Sequence, residues 1–513
     1  MAVGANIISI ITESLYDKPV VVFREYVQNS IDAFSKSGKI LDNCAVDICI
    51  KARNTDVTQN DANEILDIFF LDNGTGIEYE AFEDKMRDIA SSGKRKYRDM
   101  GYKGIGRLSG ISYCERLTFI NILDWKQEKF QVYSINCEKF KEIKNTDDFL
   151  ESEATTVFDL IGKSYDGLKE IRDFDITYIY AYLKEKSDFF DNRNTGFLVV
   201  LEEINQVLKD IIQNKEFTQD LSWLLPVKFQ DELYENPQCK NLIQGLSEEK
   251  VTDSIPAKGY PIRFTLPGES PVLLKRPITT GLLRDCVFKR EFQDEQGNVY
   301  AIALLNFASD RLVIKKDNPF SGIRMYIDNM LLCDENELLA VLKNLNLTNH
   351  TQNEVLQTVK TVGIMLYVVD KVNLSANARR TFIDISNNEA VYFLDLISDF
   401  VSEIYDVRYS LSKFSIALTK SKSDEDKINA LRSKAETALE TLAKDKVKVK
   451  INPSENIIAF DELSDTEKKR IIKRIILDNV NENIRSYLTL ATRFSKETAY
   501  KDFIVWLISQ NSF

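Results

Sequence analysis

In the stretch FREYVQNSIDAF, the apolar residues Phe23, Val27, Ile31 and Phe34 keep the spacing of one helical face. The other side of that predicted helix is not an ordinary solvated surface. At about 100° per residue, Asn29 lies about 40° from Glu25 and Asp32 about 20° the other way. A carboxylate, an amide and a second carboxylate therefore share one narrow stripe, where a surface helix would carry lysine and glutamate. Asp17-Lys-Pro19 supplies a cap and a proline tolerated in the first turn. Next, ILDIFFLDNGTGI (65–77) reads as a buried strand that stops at Asp72-Asn73-Gly74-Thr75-Gly76. By itself this is equally well a strand and a glycine turn. Its chemical reading is an aspartate at a strand end that accepts a hydrogen bond from an exocyclic amino group such as adenine's.

Further along, SSGKRKYRDMGYKGIGRLSG (91–110) places Gly101, Gly104 and Gly106 before a segment, Arg107 to Tyr113, that is expected to begin a helix. Glycine-rich backbone leading into a helix N-terminus can cradle an anion. Between Gly93 and Arg107 there are six basic residues and one acidic. A solvated loop accounts for this stretch equally well. Neither the P-loop nor the Rossmann spacing is present. From Pro261 to Leu332 the pattern turns β-rich, with a hairpin expected about Gln296-Gly-Asn298. Residues 390–513 read as mainly helical, interrupted by a short hairpin over 446–460. Ile428, Leu431, Ala435, Ala438 and Leu442 suit an intramolecular helical hairpin. Residues 1–17 are expected to be a strand or arm, and 238–260 a polar connection.

Composition narrows the class. A chain of 513 residues suggests about three domains, and 28% charged residues argue for a folded, soluble protein. The net charge of −12 argues against nucleic acid as the main partner. The cysteines (44, 49, 114, 137, 239, 286, 333) are scattered and form no C-x-x-C, so reduced core thiols are expected rather than zinc or disulfides. No run of 18 apolar residues occurs, and the first residues lack a basic n-region, so a cytoplasmic protein without a membrane partner is expected. The single histidine, His350, sits in a polar stretch and speaks against histidine chemistry.

E-x-x-x-N-x-x-D-A, then DNGxG, then GxxGxG, in this order between Glu25 and Gly106, resembles the GHKL ATPases. That superfamily includes gyrase B, heat-shock protein 90, histidine kinases, MutL and the MORC proteins. The resemblance implies an α+β protein whose N-terminal domain is a Bergerat-fold α/β sandwich, with helices covering one face of a mixed sheet. It implies ATP and Mg²⁺ as ligands. Asn29 would ligate the metal, Glu25 would act as general base, Asp32 would support the ligand network, and Asp72 would read adenine. Gly74, Gly76, Ser92, Gly101, Gly104 and Gly106 would line the nucleotide. Thr195 in RNTGFLVVLEEI would support Asp72, with Thr156 as the alternative.

Within the superfamily, FREYVQNSIDA (23–33) and IASSGKRKY (89–97) resemble heat-shock protein 90. GIRMYIDNMLLCDENELLAVL (322–342) and GIMLYVVDKVNLSANARRTF (363–382) resemble its middle domain. By that match Arg379, or its neighbour Arg380, would reach the γ-phosphate. The lid interval is much shorter than in the chaperone, and Arg107 stands where an aromatic is common. The implied organisation is an ATP-binding domain over 1–237, an α/β, transducer-like middle domain over 238–405 and a mainly helical region over 406–513. The implied function is an ATP-driven clamp, a homodimer or larger assembly that closes on ATP around a client protein. The alternative is a regulatory or sensor ATPase, of defence or MORC type, that controls an effector. A DNA-repair or topology subunit ranks third.

Overall fold

Strand β2 (Leu66–Asp72) is buried along its whole length, and this sets the architecture around it. Because side chains alternate across a strand, LDIFFLD needs apolar cover on both faces of its sheet. In the computed structural model the described residues are 19–36, 45–53, 65–87, 106–144, 146, 154–190, 193–231, 259–276, 287–293, 299–307, 322–327, 329–333, 335–344, 362–368, 393–403, 405, 430, 433 and 446–448. They belong to two compact units. One comprises Met1–Glu291, Val299–Glu335 and Val359–Ala390; the other comprises Phe292–Asn298, Asn336–Thr358 and Val391–Phe513.

In the first unit, α1 (Val21–Lys36) leads into β1 (Val46–Ala52), β2, the short helix α2 (Phe82–Arg87), β3 (Arg116–Asp124) and β4 (Lys129–Asn136). Helices α3 (Cys137–Ile143) and α4 (Ala154–Ile161), strand β5 (Gly162–Tyr165), α5 (Thr177–Glu185) and β6 (Gly196–Glu202) follow. Then come α6 (Gln206–Ile212), α7 (Phe217–Leu224), β7 (Ile262–Thr265) and β8 (Val272–Leu273). The strands form one mixed sheet of order β5-β4-β3-β6-β2-β1-β7-β8, in which β1 and β7 are parallel and the other neighbours antiparallel. Although β7 and β8 lie beyond residue 237, they complete this sheet.

Leu66, Ile68 and Phe70 of β2 join the core built by α1, α6 and α7. Phe70 packs edge-on against Phe23 at 5.4 Å. Phe69 and Leu71 enter a second core with Ile179, Tyr182 and Leu183 of α5, and Phe69 stacks on Tyr182 at 4.3 Å. The expectation of helices on one face is therefore corrected: α5 and residues 187–190 cover the other face, because β2, β3 and β6 are apolar on both sides. The outer layer is also fastened by polar pairs. Tyr182 and Lys186 donate to the buried Asp47 at 2.8 and 3.1 Å, and Arg53 bridges Asp67 and the Tyr178 hydroxyl at 2.7 and 3.0 Å.

A second sheet contains β9 (Val287–Gln293), β10 (Val299–Phe307), β11 (Gly322–Ile327), β12 (Met330–Cys333) and β13 (Val362–Val368), in the order β12-β11-β13-β10-β9. β9 and β10 are the arms expected about Gln296-Gly-Asn298, and α8 (Glu335–Asn344) follows the β11–β12 pair. In the second unit residues 393–403 are helical, and Phe292 meets Phe400 edge-on at 5.4 Å. The expected hairpin at 446–460 is described only as strand over Lys446–Lys448, and residues 1–17, nearly all of 238–260 and most of 406–513 lie outside the described residues. His350 does as well. Cys49, Cys114 and Cys137 are free and buried. No described helix is long and apolar enough to cross a membrane.

Within the first unit, Arg276 ties the two sheets together. Its guanidinium is fully buried and donates to the Ser222 and Leu225 carbonyls at the end of α7, at 3.3 and 2.9 Å. It also donates to the Asn329 carbonyl at 2.6 Å and to the Asn329 side chain, while Tyr326 lies against it at 4.3 Å. A cation placed at the carbonyl end of a helix interacts favourably with the helix dipole. Arg276→Met keeps much of the apolar stem but leaves several buried carbonyls without their donor, each costing about 1–3 kcal/mol. The variant should unfold at clearly lower urea concentration, by at least about 2 kcal/mol in extrapolated stability. A wild-type midpoint would show that the guanidinium does not hold the junction.

Candidate functional site

The stripe predicted from the sequence lies on α1. Phe23, Val27, Ile31 and Phe34 are buried in the core, and the helix turns Glu25 and Asp32 into the interior as well. Asn29 is half-buried between them in sequence. A buried carboxylate is tolerated only where charge or hydrogen bonds compensate. The Arg24 guanidinium lies 3.8 Å from the Glu25 carboxylate. Against that carboxylate sits Gly106, where a Cβ would come within 2.2 Å of Glu25 Oε2, so a larger residue there would displace the carboxylate from this position. The backbone after Gly106 is pinned to the same helix. The Tyr26 hydroxyl donates to the Arg107 carbonyl and accepts from the Gly110 N–H, each at 3.0 Å. The helix expected over Arg107–Tyr113 is instead a 3₁₀ turn at Gly106–Leu108 followed by further turns. With its ends taken by Tyr26, this backbone follows α1 rather than continuing as a helix of its own.

Asp72 ends β2 beside α1. Its carboxylate accepts from the Gly74 N–H at 2.8 Å and lies next to the Ser30 hydroxyl, which also reaches the Tyr26 carbonyl at 3.2 Å. Burial pushes the Asp72 carboxyl up to about 6, while the Gly74 N–H, Ser30 and the charge of Arg193 oppose that shift. At Gly74 a Cβ would stand 2.8 Å from Asp72 Oδ1 and 3.1 Å from Ala33 Cβ, so the turn presses on α1. Gly76 adopts a φ of +66°. Thr195 donates to the Gly74 carbonyl at 2.8 Å, and Asn121 of β3 meets Ile77 on the far side of Gly76. The loop is thus clasped from α1, β3 and the start of β6.

Of the residues named from sequence, Glu25, Asn29, Asp32, Asp72, Gly74, Gly76, Gly106 and Thr195 fall on this connected set of α1, the β2 turn and the segments packed against them. Ser92, Gly101, Gly104, Arg379 and Arg380 lie outside the described residues. Thr156 lies in α4, whereas Thr195 reaches the Asp72 turn. Ser30, Arg193, Tyr26, Asn121 and Gln131 were not singled out. Ser30 and Tyr26 lie within the motif helix, and Arg193 two residues before Thr195. Asn121 is a polar residue inside a buried apolar strand, which is a readable signal. Among the described residues no group of three or more His, Cys, Asp or Glu could hold a metal ion by itself, which leaves the half-buried Asn29 amide oxygen as the oxygen donor this helix offers a hard cation. Mg²⁺ commonly takes one or two protein oxygens and completes its shell with phosphates and water, so Asn29 fits it.

Residues 17–167 match the family described as histidine kinase-, DNA gyrase B-, and HSP90-like ATPase. Over those residues the match supports a GHKL-type ATPase domain, and the large mixed sheet agrees with it. No curated protein matches the chain.

The Asp72 environment gives a pH dependence. With its carboxyl raised to about 6, Asp72 is ionised and able to accept an amino hydrogen above that pH, and it gains a proton as pH falls through it. If Asp72 is the group that accepts from adenine, nucleotide affinity should decline between about pH 7 and pH 5, and Asp72→Asn should bind weakly with the decline removed. Calorimetric titrations across that range test this; equal affinity at both ends would rule out Asp72 as the acceptor.

Proposed function

We propose that the protein is a Mg-ATP-driven conformational switch related to heat-shock protein 90. The observation that carries this reading is the packing of Glu25 against Gly106 on the same helix that borders the Asp72 turn. The proton acceptor proposed on α1 and the adenine acceptor proposed at the end of β2 would thereby belong to neighbouring elements of one packed core. Asp72 would accept from the adenine amino group, with Thr195 and Gly74 fixing the turn around it. GTP places a carbonyl there, facing a carboxylate with no proton to offer, and is rejected. Asn29 would offer its amide oxygen to Mg²⁺, which when bound neutralises phosphate charge. Glu25 would orient the attacking water and take its proton on a carboxylate oxygen. Asp32 would support this network from one helical turn beyond Asn29. Ser92, Gly101 and Gly104 are proposed phosphate-side contacts, and Arg379 or Arg380 the cation that completes the site.

Glu25→Ala should keep nucleotide binding and lower turnover by about 10²–10⁴, the usual range for a general base. Asn29→Ala should lose the Mg²⁺-dependent part of the affinity. Turnover by Glu25→Ala at the wild-type rate would remove Glu25 from the reaction, and steady-state phosphate release measures it.

A second reading follows from the short interval between DNGTG and GYKGIG. So short a lid leaves shielding of the γ-phosphate to a second subunit or a partner, as in a sensor ATPase that controls an effector. Association and ATP binding should then be coupled, and linkage makes the coupling reciprocal. Light scattering with a non-hydrolysable analogue and Mg²⁺ should show a dimer forming or an existing dimer contracting. Activity per subunit that is constant on dilution, with no analogue-induced change, would leave a monomeric ATPase. A change that needs a second protein would favour the sensor reading over the chaperone clamp.

A further inference from the structure

Ile77, just past the Asp72 turn, has both backbone groups taken by one side chain. Its N–H donates to Asn121 Oδ1 at 2.9 Å, and Asn121 Nδ2 donates to its carbonyl at 2.7 Å. Asn121 thus acts as a peptide unit built from a side chain, adding a rung that the sheet lacks. Its remaining Nδ2 proton goes to Gln131 Oε1 at 3.0 Å, and Gln131 Nε2 donates to the Tyr79 carbonyl at 2.9 Å. Asn121 and Gln131 are direct cross-strand partners on β3 and β4, and both are buried. Reversing the Asn121 amide would set its NH₂ against the Ile77 N–H, so the loop selects one orientation. Gly76 is caught between these bonds and the Thr195 bond to Gly74. A Cβ there would approach Asn121 Oδ1 to 2.7 Å, and its φ of +66° already favours glycine.

We propose that Asn121, held by Gln131, is a positioning pair that sets how deeply the Asp72–Gly76 turn sits and hence how tightly the purine is bound. This rests on the nucleotide reading of the site. Neither residue touches the reacting atoms: Glu25 and Asn29 are on α1, whereas the pair grips the turn from β3 and β4. Its loss should therefore appear in affinity and leave the chemical step alone. The pair is fully satisfied and buried, so an isosteric change that swaps a donor for an acceptor is costly where an exposed one would be silent.

The test compares wild type, Asn121→Asp and Gln131→Leu in the full chain, with three readouts: Ile77 amide exchange, ATP affinity and kcat. Asn121→Asp keeps an acceptor for the Ile77 N–H but sets a second oxygen against the Ile77 carbonyl and Gln131 Oε1, where Nδ2 now donates. That repulsion should push the turn off β3, so Ile77 should lose protection and ATP should bind about tenfold more weakly, with kcat at saturating ATP within about twofold of wild type. Gln131→Leu leaves the Asn121–Ile77 pair in place and should weaken ATP by only about two- to threefold, which keeps the test alive if Asn121→Asp does not fold. Wild-type affinity in the folded variants would overturn the positioning role, as would a lowered kcat with unchanged affinity. If wild type binds no ATP although Ile77 is protected and the Asn121→Asp change releases it, the nucleotide reading fails and the clasp stands as architecture alone.

Discussion

A carboxylate held at the end of a strand buried on both faces is the constraint on which the rest depends. Asp72 has no exposed flank: α1 borders it through Ser30, β6 runs alongside, and its own turn folds back through the Gly74 N–H. Keeping such a group ionisable in an apolar sandwich requires donors at fixed distances, and at the donor Gly74 a Cβ would press on the Asp72 carboxylate itself. The second layer of helix, α5, packs on the face of β2 that a half-covered sheet would leave open.

Around this point the molecule alternates apolar packing with polar fasteners. Phe23 and Phe70 lock α1 to the sheet, and Tyr26 carries the backbone after Gly106 onto the same helix. On the opposite face Tyr182 and Lys186 close over Asp47. Glu202, raised to about 7 by burial, is held by the Thr118 and Tyr178 hydroxyls with Arg116 nearby. At the far side of α7, Arg276 joins the first sheet to the β11–β12 pair. Phe217 of α7 meets Phe23 of α1 at 5.2 Å, so the helix that bears Glu25 and the helix whose carbonyls bind Arg276 share a contact.

Much of the site was legible because its chemistry sits on regular periods. Glu25, Asn29 and Asp32 fall on one stripe of a helix whose other positions are apolar, and Asp72 closes a run of apolar residues before two glycines. Such patterns depend only on local geometry, and the helix and strand formed where they predicted. Thr195 was separable from Thr156 only by which one reaches Gly74. The α5 layer was missed because its attachment runs through Tyr178, Tyr182 and Lys186, residues that read as surface until Arg53, Asp67 and Asp47 are brought beneath them.

Sequence alone determined the elements and the residue types: an amphipathic helix with an acid–amide–acid stripe, a doubly apolar strand, and glycines where side chains cannot go. Those follow from backbone periodicity and steric limits, which act over a few residues. Tertiary structure decided which distant groups complete each function. Asn121 pairs with Ile77 and Gln131, Gly106 lies on Glu25, and Arg276 finds carbonyls on α7 and Asn329. Hydrogen bonds have directions and short ranges but no sequence period, so their partners are fixed only when the sheet order brings the strands together.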